Sequence, residues 1–263
     1  MVKCIEYGLG CDKSHIGLEV LHMKIVVAPD AQHVAEAAFK VMKNTVSEKK
    51  DAVLGLATGS SPEGLYALMA KDHSENGTSY QDVVTYNLDE YVGLPQNHPQ
   101  SYYTFMHEKL FQYIDVKEEN IHIPCGCAQD EEKACHDYEN MIAKVRIDLQ
   151  VLGIGSDGHI AFNEPGTPFD SLVHLVHLKQ QTIHDNARFF DHDESKVPTM
   201  AITTGLADIM RCRKIILIAT GANKAQAVHD MVKGPVSTSC PASILQRHPD
   251  TVVFLDEAAA SKL

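Results

Sequence analysis

The residues best suited to proton chemistry share one glycine-rich stretch, Val151-Leu152-Gly153-Ile154-Gly155-Ser156-Asp157-Gly158-His159-Ile160-Ala161-Phe162-Asn163-Glu164-Pro165-Gly166. An apolar run gives way to glycines and then to polar groups. Asp157 and His159 stand two apart in a turn, and Glu164 returns on the same loop. A carboxylate on one imidazole nitrogen fixes the tautomer and leaves the other nitrogen to exchange protons with a substrate. The same residue types can ligate a metal or form a structural polar turn, but no further closely spaced ligand supports a metal. A second acidic pair, Asp89-Glu90 in Asn87-Leu88-Asp89-Glu90-Tyr91-Val92-Gly93, also follows an apolar run. One of its carboxylates can face a pocket as a base while its neighbour points elsewhere, and partial burial would raise its pKa. A solvated acidic loop is the alternative.

Anion-binding chemistry is concentrated in Thr58-Gly59-Ser60-Ser61-Pro62-Glu63, between a strand-like run and a helical pattern. Ser60 with Glu63 fits a capping box, and Ser61 with Pro62 fits a cap followed by proline at the first helical position. Either way, a glycine turn presents backbone N–H groups and hydroxyls at a helix start, where phosphate is stabilised. No lysine completes a Walker A loop, which disfavours a nucleoside triphosphate. Arg188, in Asn186-Ala187-Arg188-Phe189-Phe190, and Lys224, in Thr220-Gly221-Ala222-Asn223-Lys224, can complete the cradle. A guanidinium offers a planar fork of donors to phosphate. Alone, either residue reads as an ordinary surface charge; position gives them value.

These loops need a scaffold, and the chain supplies alternating elements. Apolar runs at 23–27, 52–57, 82–86, 149–154, 214–219 and 251–255 read as strands. Helical patterns follow Pro29 and recur around 62–73, 101–113, 130–145 and 223–233. Strands this apolar are covered on both faces. The expected fold is therefore α/β: a three-layer αβα sandwich on a modified Rossmann-like, mostly parallel sheet. In such sheets ligands bind beyond the carboxyl ends of the strands, where the polar motifs fall. Residues 23–263 read as a single catalytic domain. Residues 1–22, with two cysteines and no steady period, read as an extension of poor order, either an appended leader or an upstream start; an added strand or a docking tail is the competing reading.

Composition narrows the partners. The 23 basic and 35 acidic side chains of the 263 residues give a formal charge of −12, against a general nucleic-acid or anionic-membrane surface. No apolar run reaches the roughly 18 residues of a membrane span. Seven cysteines without a CxxC pair read as reduced thiols in a cytoplasmic chain, and Cys125-Gly126-Cys127 as a loop pair rather than a metal or redox site. His174 and His177 are weak metal candidates among fifteen histidines. No Gly-x-Ser-x-Gly elbow and no Gly-x-Gly-x-x-Gly after the first strand argue against a serine hydrolase and a dinucleotide cofactor.

Taken together, Leu54-Gly55-Leu56-Ala57-Thr58-Gly59-Ser60-Ser61-Pro62, the Asn87–Leu94 loop with His98-Pro99-Gln100-Ser101-Tyr102-Tyr103, Gly155–Pro165, Asn186–Phe190 and the Lys224 loop resemble the glucosamine-6-phosphate deaminases over residues 23–263. Related 6-phosphogluconolactonases share the Asp-Gly-His turn, but the Asn-Glu-Pro continuation and the Asp-Glu-Tyr-Val loop look like the deaminases. The resemblance implies deaminating isomerisation of glucosamine 6-phosphate to fructose 6-phosphate and ammonia in amino-sugar catabolism, with no metal or organic cofactor. It implies Asp89 as the base moving a proton from C2 to C1. It further implies His159, supported by Asp157 and Glu164, in ring opening, and Thr58, Gly59, Ser60, Arg188 and Lys224 on the phosphate. A lactonase, a related sugar-phosphate isomerase or a non-catalytic sugar-phosphate sensor is the alternative. Allosteric members carry basic and serine residues after Asn-Glu-Pro; here 166–177 lacks Arg and Lys, and the chain ends soon after Leu255-Asp256-Glu257. A non-allosteric enzyme is expected, monomeric or homo-oligomeric.

Overall fold

The computed structural model describes residues 3–8 and 22–263. In chain order the elements begin with β1 (Lys3–Gly8), β2 (His22–Ala28), α1 (Ala31–Glu48), β3 (Val53–Leu56), α2 (Glu63–Asn76), β4 (Val84–Asn87) and β5 (Asp89–Tyr91). Next come α3 (Tyr102–Lys109), β6 (Ile121–His122), α4 (Glu131–Ile142), β7 (Leu149–Leu152), β8 (His174–His177) and α5 (Gln180–Asn186). The last are β9 (Met200–Thr203), α6 (Leu206–Met210), β10 (Lys214–Ala219), α7 (Ala225–Lys233) and β11 (Thr251–Asp256).

Eight strands form the main sheet in the order β1-β2-β11-β10-β7-β3-β4-β6. Every neighbouring pair is parallel except β1 with β2. Successive strand side chains point to opposite faces, and both faces are apolar. Ile216, Ile218, Leu149, Val151, Leu54 and Leu56 pack with α1 and α2 on one side. Ile215, Leu217, Leu152 and Val253 pack with α4, α6 and α7 on the other. The αβα sandwich expected from the apolar runs is the fold observed. Among the described residues, no helix is long and apolar enough to cross a membrane.

Lys3–Gly8 lies at the edge of the main sheet as a strand, the form named in the competing reading of this stretch. These six residues pair antiparallel with β2, from Lys3 opposite Val27 to Gly8 opposite His22. The free edge of β2 offers a row of backbone donors and acceptors that an added strand can satisfy. The rest of the 1–22 stretch lies outside the described residues, apart from His22, which opens β2.

The strand order sets the position of the functional loops. From β3 the chain moves outward to β4 and β6, then returns to lay β7 on the other side of β3 and continues to β10 and β11. The order therefore reverses between β3 and β7, and a crevice opens there beyond the strand ends. The loops after β3 and β7 carry the Thr58–Ser61 cradle and the Asp157–His159 turn. A Cβ on Gly153 would stand 3.6 Å from the side chain of Ser61, so the two loops run side by side.

A second, three-stranded antiparallel sheet, β5-β9-β8, was not foreseen from the sequence. The chain enters it directly after β4. Leu88 donates its N–H to Leu56 in the main sheet and accepts the N–H of Thr204 beside β9. Asp89 is the first residue across that junction.

Candidate functional site

A cavity of about 980 Å³ opens at the switch point. Thr58, Gly59, Ser60, Asp89, His159, Arg188 and Lys224 all line it, so groups up to 166 positions apart in sequence share one space. Asp157 and Glu164 are not part of its wall and stand behind His159. One ligand-type atom each from Asp157, His159 and Glu164 lies within 4.8 Å of the others.

Asp89 is buried, with 6% of its surface exposed. Burial, and secondarily the charge of Glu90, push its carboxyl up to about 8. Its neighbour points elsewhere, because adjacent strand residues face opposite ways. Glu90 accepts the backbone N–H groups of Tyr102 and Tyr103, both at 2.9 Å, and of Tyr91 at 2.8 Å. It thus satisfies orphan donors at the start of α3. Burial raises its pKa, although these hydrogen bonds oppose the shift.

His159 is positioned by what surrounds it. Its Nδ1 lies 2.7 Å from Asp157 Oδ1, which also accepts the His159 backbone N–H at 3.2 Å. Burial alone would raise the Asp157 pKa; the hydrogen bond and charge of His159 outweigh it and hold the carboxyl at about 2. The imidazole lies against Gly155, where a Cβ would come within 2.2 Å of Cε1. Glu164 is buried, and its Oε1 accepts from Thr182 Oγ1 at 2.6 Å and the Lys179 N–H at 3.3 Å. Its Oε2 has no hydrogen-bond partner among the described residues. The Asp157, His159 and Glu164 donors are those of a three-ligand metal site, but each carboxylate already has a local role, Asp157 on the imidazole and Glu164 on Thr182.

The anion side of the cavity starts at β3. Tyr66 from α2 donates its hydroxyl to the Ala57 carbonyl at 2.6 Å and accepts the Ala57 N–H at 3.2 Å, which fixes the strand end. Gly59 then takes φ +91°, a left-handed turn that glycine adopts without strain. Neither expected cap forms: α2 begins at Glu63 behind Pro62 with no side-chain cap hydrogen bond. The turn around Gly59 keeps Ser60 and Ser61 on the cavity wall instead. Lys224 is held below the ordinary lysine range, by burial first and then by the positive charge of Arg188, while Asp185 and Asp157 act in the opposite sense. A site that disfavours its own lysine's charge gains most when an anion enters.

The sequence reading missed several positioning groups. Asp256 ends β11 and accepts the Gly221 N–H with both oxygens, at 3.0 and 2.9 Å, pinning the Lys224 loop. Asp185 accepts from Ser156 Oγ at 3.1 Å and ties α5 to the His159 loop. Asn186 donates to the Tyr91 hydroxyl at 2.8 Å, joining α5 to the strand that carries Asp89. Asp256 had a signal, since it directly follows an apolar strand run. Asn186 stood in the Asn186–Phe190 motif without an assigned task and Asp185 had no signal, because their partners lie on different elements.

A cavity at the reversal of a parallel sheet, with a raised carboxyl, a carboxylate-oriented imidazole and an anion cradle, defines an α/β enzyme. The chain belongs to the glucosamine-6-phosphate isomerase/6-phosphogluconolactonase family, whose sequence profile matches residues 29–254. Glucosamine-6-phosphate deaminase 2 of Bacillus subtilis is 47% identical over 243 residues, covering 92% of this chain and 98% of that one. The glucosamine-6-phosphate deaminase of Thermoanaerobacter pseudethanolicus is 44% identical over 240 residues, or 91% and 94% of the two chains. The solved structure of a monomeric glucosamine-6-phosphate deaminase superposes with a TM-score of 0.90 at 41% identity, over 92% of this chain and 100% of that one. The 6-phosphogluconolactonase of Trypanosoma brucei shares the fold, with a TM-score of 0.73 at 20% identity over 91% and 98%.

Proposed function

We propose that this chain is a glucosamine-6-phosphate deaminase, converting glucosamine 6-phosphate and water to fructose 6-phosphate and ammonia. One observation carries the reading: Asp89 and His159 open onto the same cavity as the Thr58–Ser60 cradle, Arg188 and Lys224. Relatives bearing that activity are 44–47% identical over nine-tenths of the chain.

The chemistry assigns each group a task. The pyranose ring opens when a proton leaves O1 and one reaches O5. His159, its Nδ1 turned to Asp157, has Nε2 free for that shuttle. The open chain has a C2 proton acidified by the C1 aldehyde. Asp89, ionised, takes this proton to give an enolamine and returns it to C1, leaving an imine at C2. Water adds to the imine, and ammonia departs as the ketone forms. Buried carboxylates with raised pKa values are strong proton acceptors once ionised. Thr58, Gly59 and Ser60 offer donors to the phosphate, and Arg188 and Lys224 add charge. The phosphate is remote from the bonds that change, so its binding serves orientation.

Every group in this scheme comes from one chain, which supports a site complete within a single subunit. The absence of Arg and Lys from 166–177 supports hyperbolic kinetics without an anionic effector. Thiols without a CxxC pair and the amino-sugar substrate support a cytoplasmic setting. Purified protein should release ammonia from glucosamine 6-phosphate in a coupled assay and leave 6-phosphogluconolactone unhydrolysed. The reverse preference would replace this reading with the lactonase, and binding without turnover would replace it with a sensor.

A further inference from the structure

Cys125 and Cys127 stand apart from the catalytic cavity, on the far side of β5. Both are exposed free thiols, while Gly126 between them is buried. Their sulfur atoms lie 3.8 Å apart, across a turn closed by the Ala128 N–H to the Cys125 carbonyl. Gly126 is held tightly. Its carbonyl accepts the Gly93 N–H at 2.9 Å, and a Cβ there would stand 1.9 Å from the Tyr91 carbonyl oxygen. The backbone between the thiols is therefore fixed against β5 and presents both sulfurs to solvent on the same side. A hollow of about 450 Å³ opens beside Cys127, lined by Leu94, Pro95, Gln96, Ala128 and Glu131 among others. Cys135, Cys212 and Cys240 are buried.

We propose that Cys125 and Cys127 form a thiol–disulfide exchange site for small disulfides, closing reversibly into an intrachain disulfide. The Cys127 thiolate, at the hollow, attacks one sulfur of the small disulfide and forms a mixed disulfide, expelling one small thiolate. The Cys125 thiolate then attacks the Cys127 sulfur, and the second small thiol leaves. The protein loses two protons and two electrons, and the small disulfide is reduced to two thiols. A disulfide requires the sulfurs at about 2.05 Å, so the present separation closes by side-chain rotation and a modest adjustment of the turn. Burial, followed by the adjacent Cys127 thiol, holds Cys125 above the ordinary thiol range. The hollow is lined by Cys127 and not by Cys125, which assigns the first attack to Cys127 and the resolving step to Cys125. With the partner thiol held this close, resolution is effectively unimolecular and outruns release of the mixed disulfide.

The test treats the full-length reduced protein with oxidised glutathione and maps its peptides by mass spectrometry. The peptide spanning 125–127 should lose two hydrogens, carry no glutathione and regain its mass with dithiothreitol. Cys125→Ser should instead retain a stable glutathione adduct on Cys127, with the ammonia-releasing rate of the untreated variant unchanged. A lasting adduct on wild-type Cys127 would overturn the proposal. So would oxidation confined to the other cysteines, or a Cys125→Ser protein that gains no adduct.

Discussion

Asp157 touches His159 at two points, with Oδ1 2.7 Å from the ring Nδ1 and 3.2 Å from the backbone N–H of the same residue. One carboxylate oxygen thus sits against both the turn and the imidazole. His159→Gln should slow the closed sugar by roughly 10²–10⁴-fold, and an open-chain analogue much less. Equal losses on both substrates would remove the ring-opening role. Asp157→Asn should reproduce the defect in part, and a chelator should leave the wild-type rate unchanged. Loss of activity on chelation, restored by a divalent ion, would assign Asp157, His159 and Glu164 to a metal instead.

The Asp89 carboxyl, raised to about 8, gives two pH signatures of opposite benefit. The proposed base acts in its ionised form, so kcat/KM should climb with pH toward about 8 and then level. Stability follows the other sign. The native state holds this proton more tightly than the unfolded chain, so its contribution is complete below the ordinary value of 3.8 and is lost as pH rises through about 8. Asp89→Asn should therefore abolish exchange of the C2 proton with solvent while raising Tm relative to wild type, increasingly so up to pH 8. Normal turnover by the variant would remove the base assignment. A lower Tm at alkaline pH would show that the buried charge is compensated.

Arg188 reaches the cavity from the surface and stacks over Phe189, with its guanidinium carbon 4.6 Å from the ring centre. A charge-assisted contact to phosphate is worth about 1.5–3 kcal/mol, so Arg188→Ala should raise KM roughly ten- to a hundredfold. The kcat value should fall less. An unchanged KM would make Arg188 a surface charge.

Gly155 makes room for the imidazole, since a Cβ would meet His159 Cε1 at 2.2 Å and Nδ1 at 2.3 Å. Gly155→Ala should displace the ring and lower kcat on the order of a hundredfold, with the circular-dichroism spectrum and phosphate affinity near wild type. A fully active variant would mean that the observed ring position is not the productive one.

Six of the eight main-sheet strands were legible because they are short, nearly continuous apolar runs; the two-residue β6 and β1, in a stretch without a steady period, were not. Lys214–Ala219 matches its run residue for residue, while the 149–154 run ends as a strand at Leu152 because Gly153 opens the loop. The small sheet was not legible. Strand β5 is only three residues of charged and aromatic type, and β8 is a half-exposed pair of histidines flanking Leu175 and Val176. Such strands exist through their pairing with β9 rather than through a pattern of their own. The same holds at the site. Loop positions after strands pointed to Thr58, His159 and Lys224 but left Asp89 and Glu90 open; the resemblance implied Asp89, and the fold supplies a physical reason, because the start of α3 claims Glu90.

The junction at Leu88 divides the labour between two layers of different origin. The Thr58–Ser60 cradle, the imidazole and Lys224 follow strands of the eight-stranded platform, whereas Asp89, the proposed base, rides on a three-stranded annex that also carries Arg188 between β8 and β9. A chain that kept the platform and rebuilt the annex would retain the glycine cradle and Lys224, and with them part of its grip on phosphorylated sugars, while changing which bond it attacks. New specificity in this architecture should accordingly arise by remodelling β5, β8 and β9, with the glycine cradle left untouched.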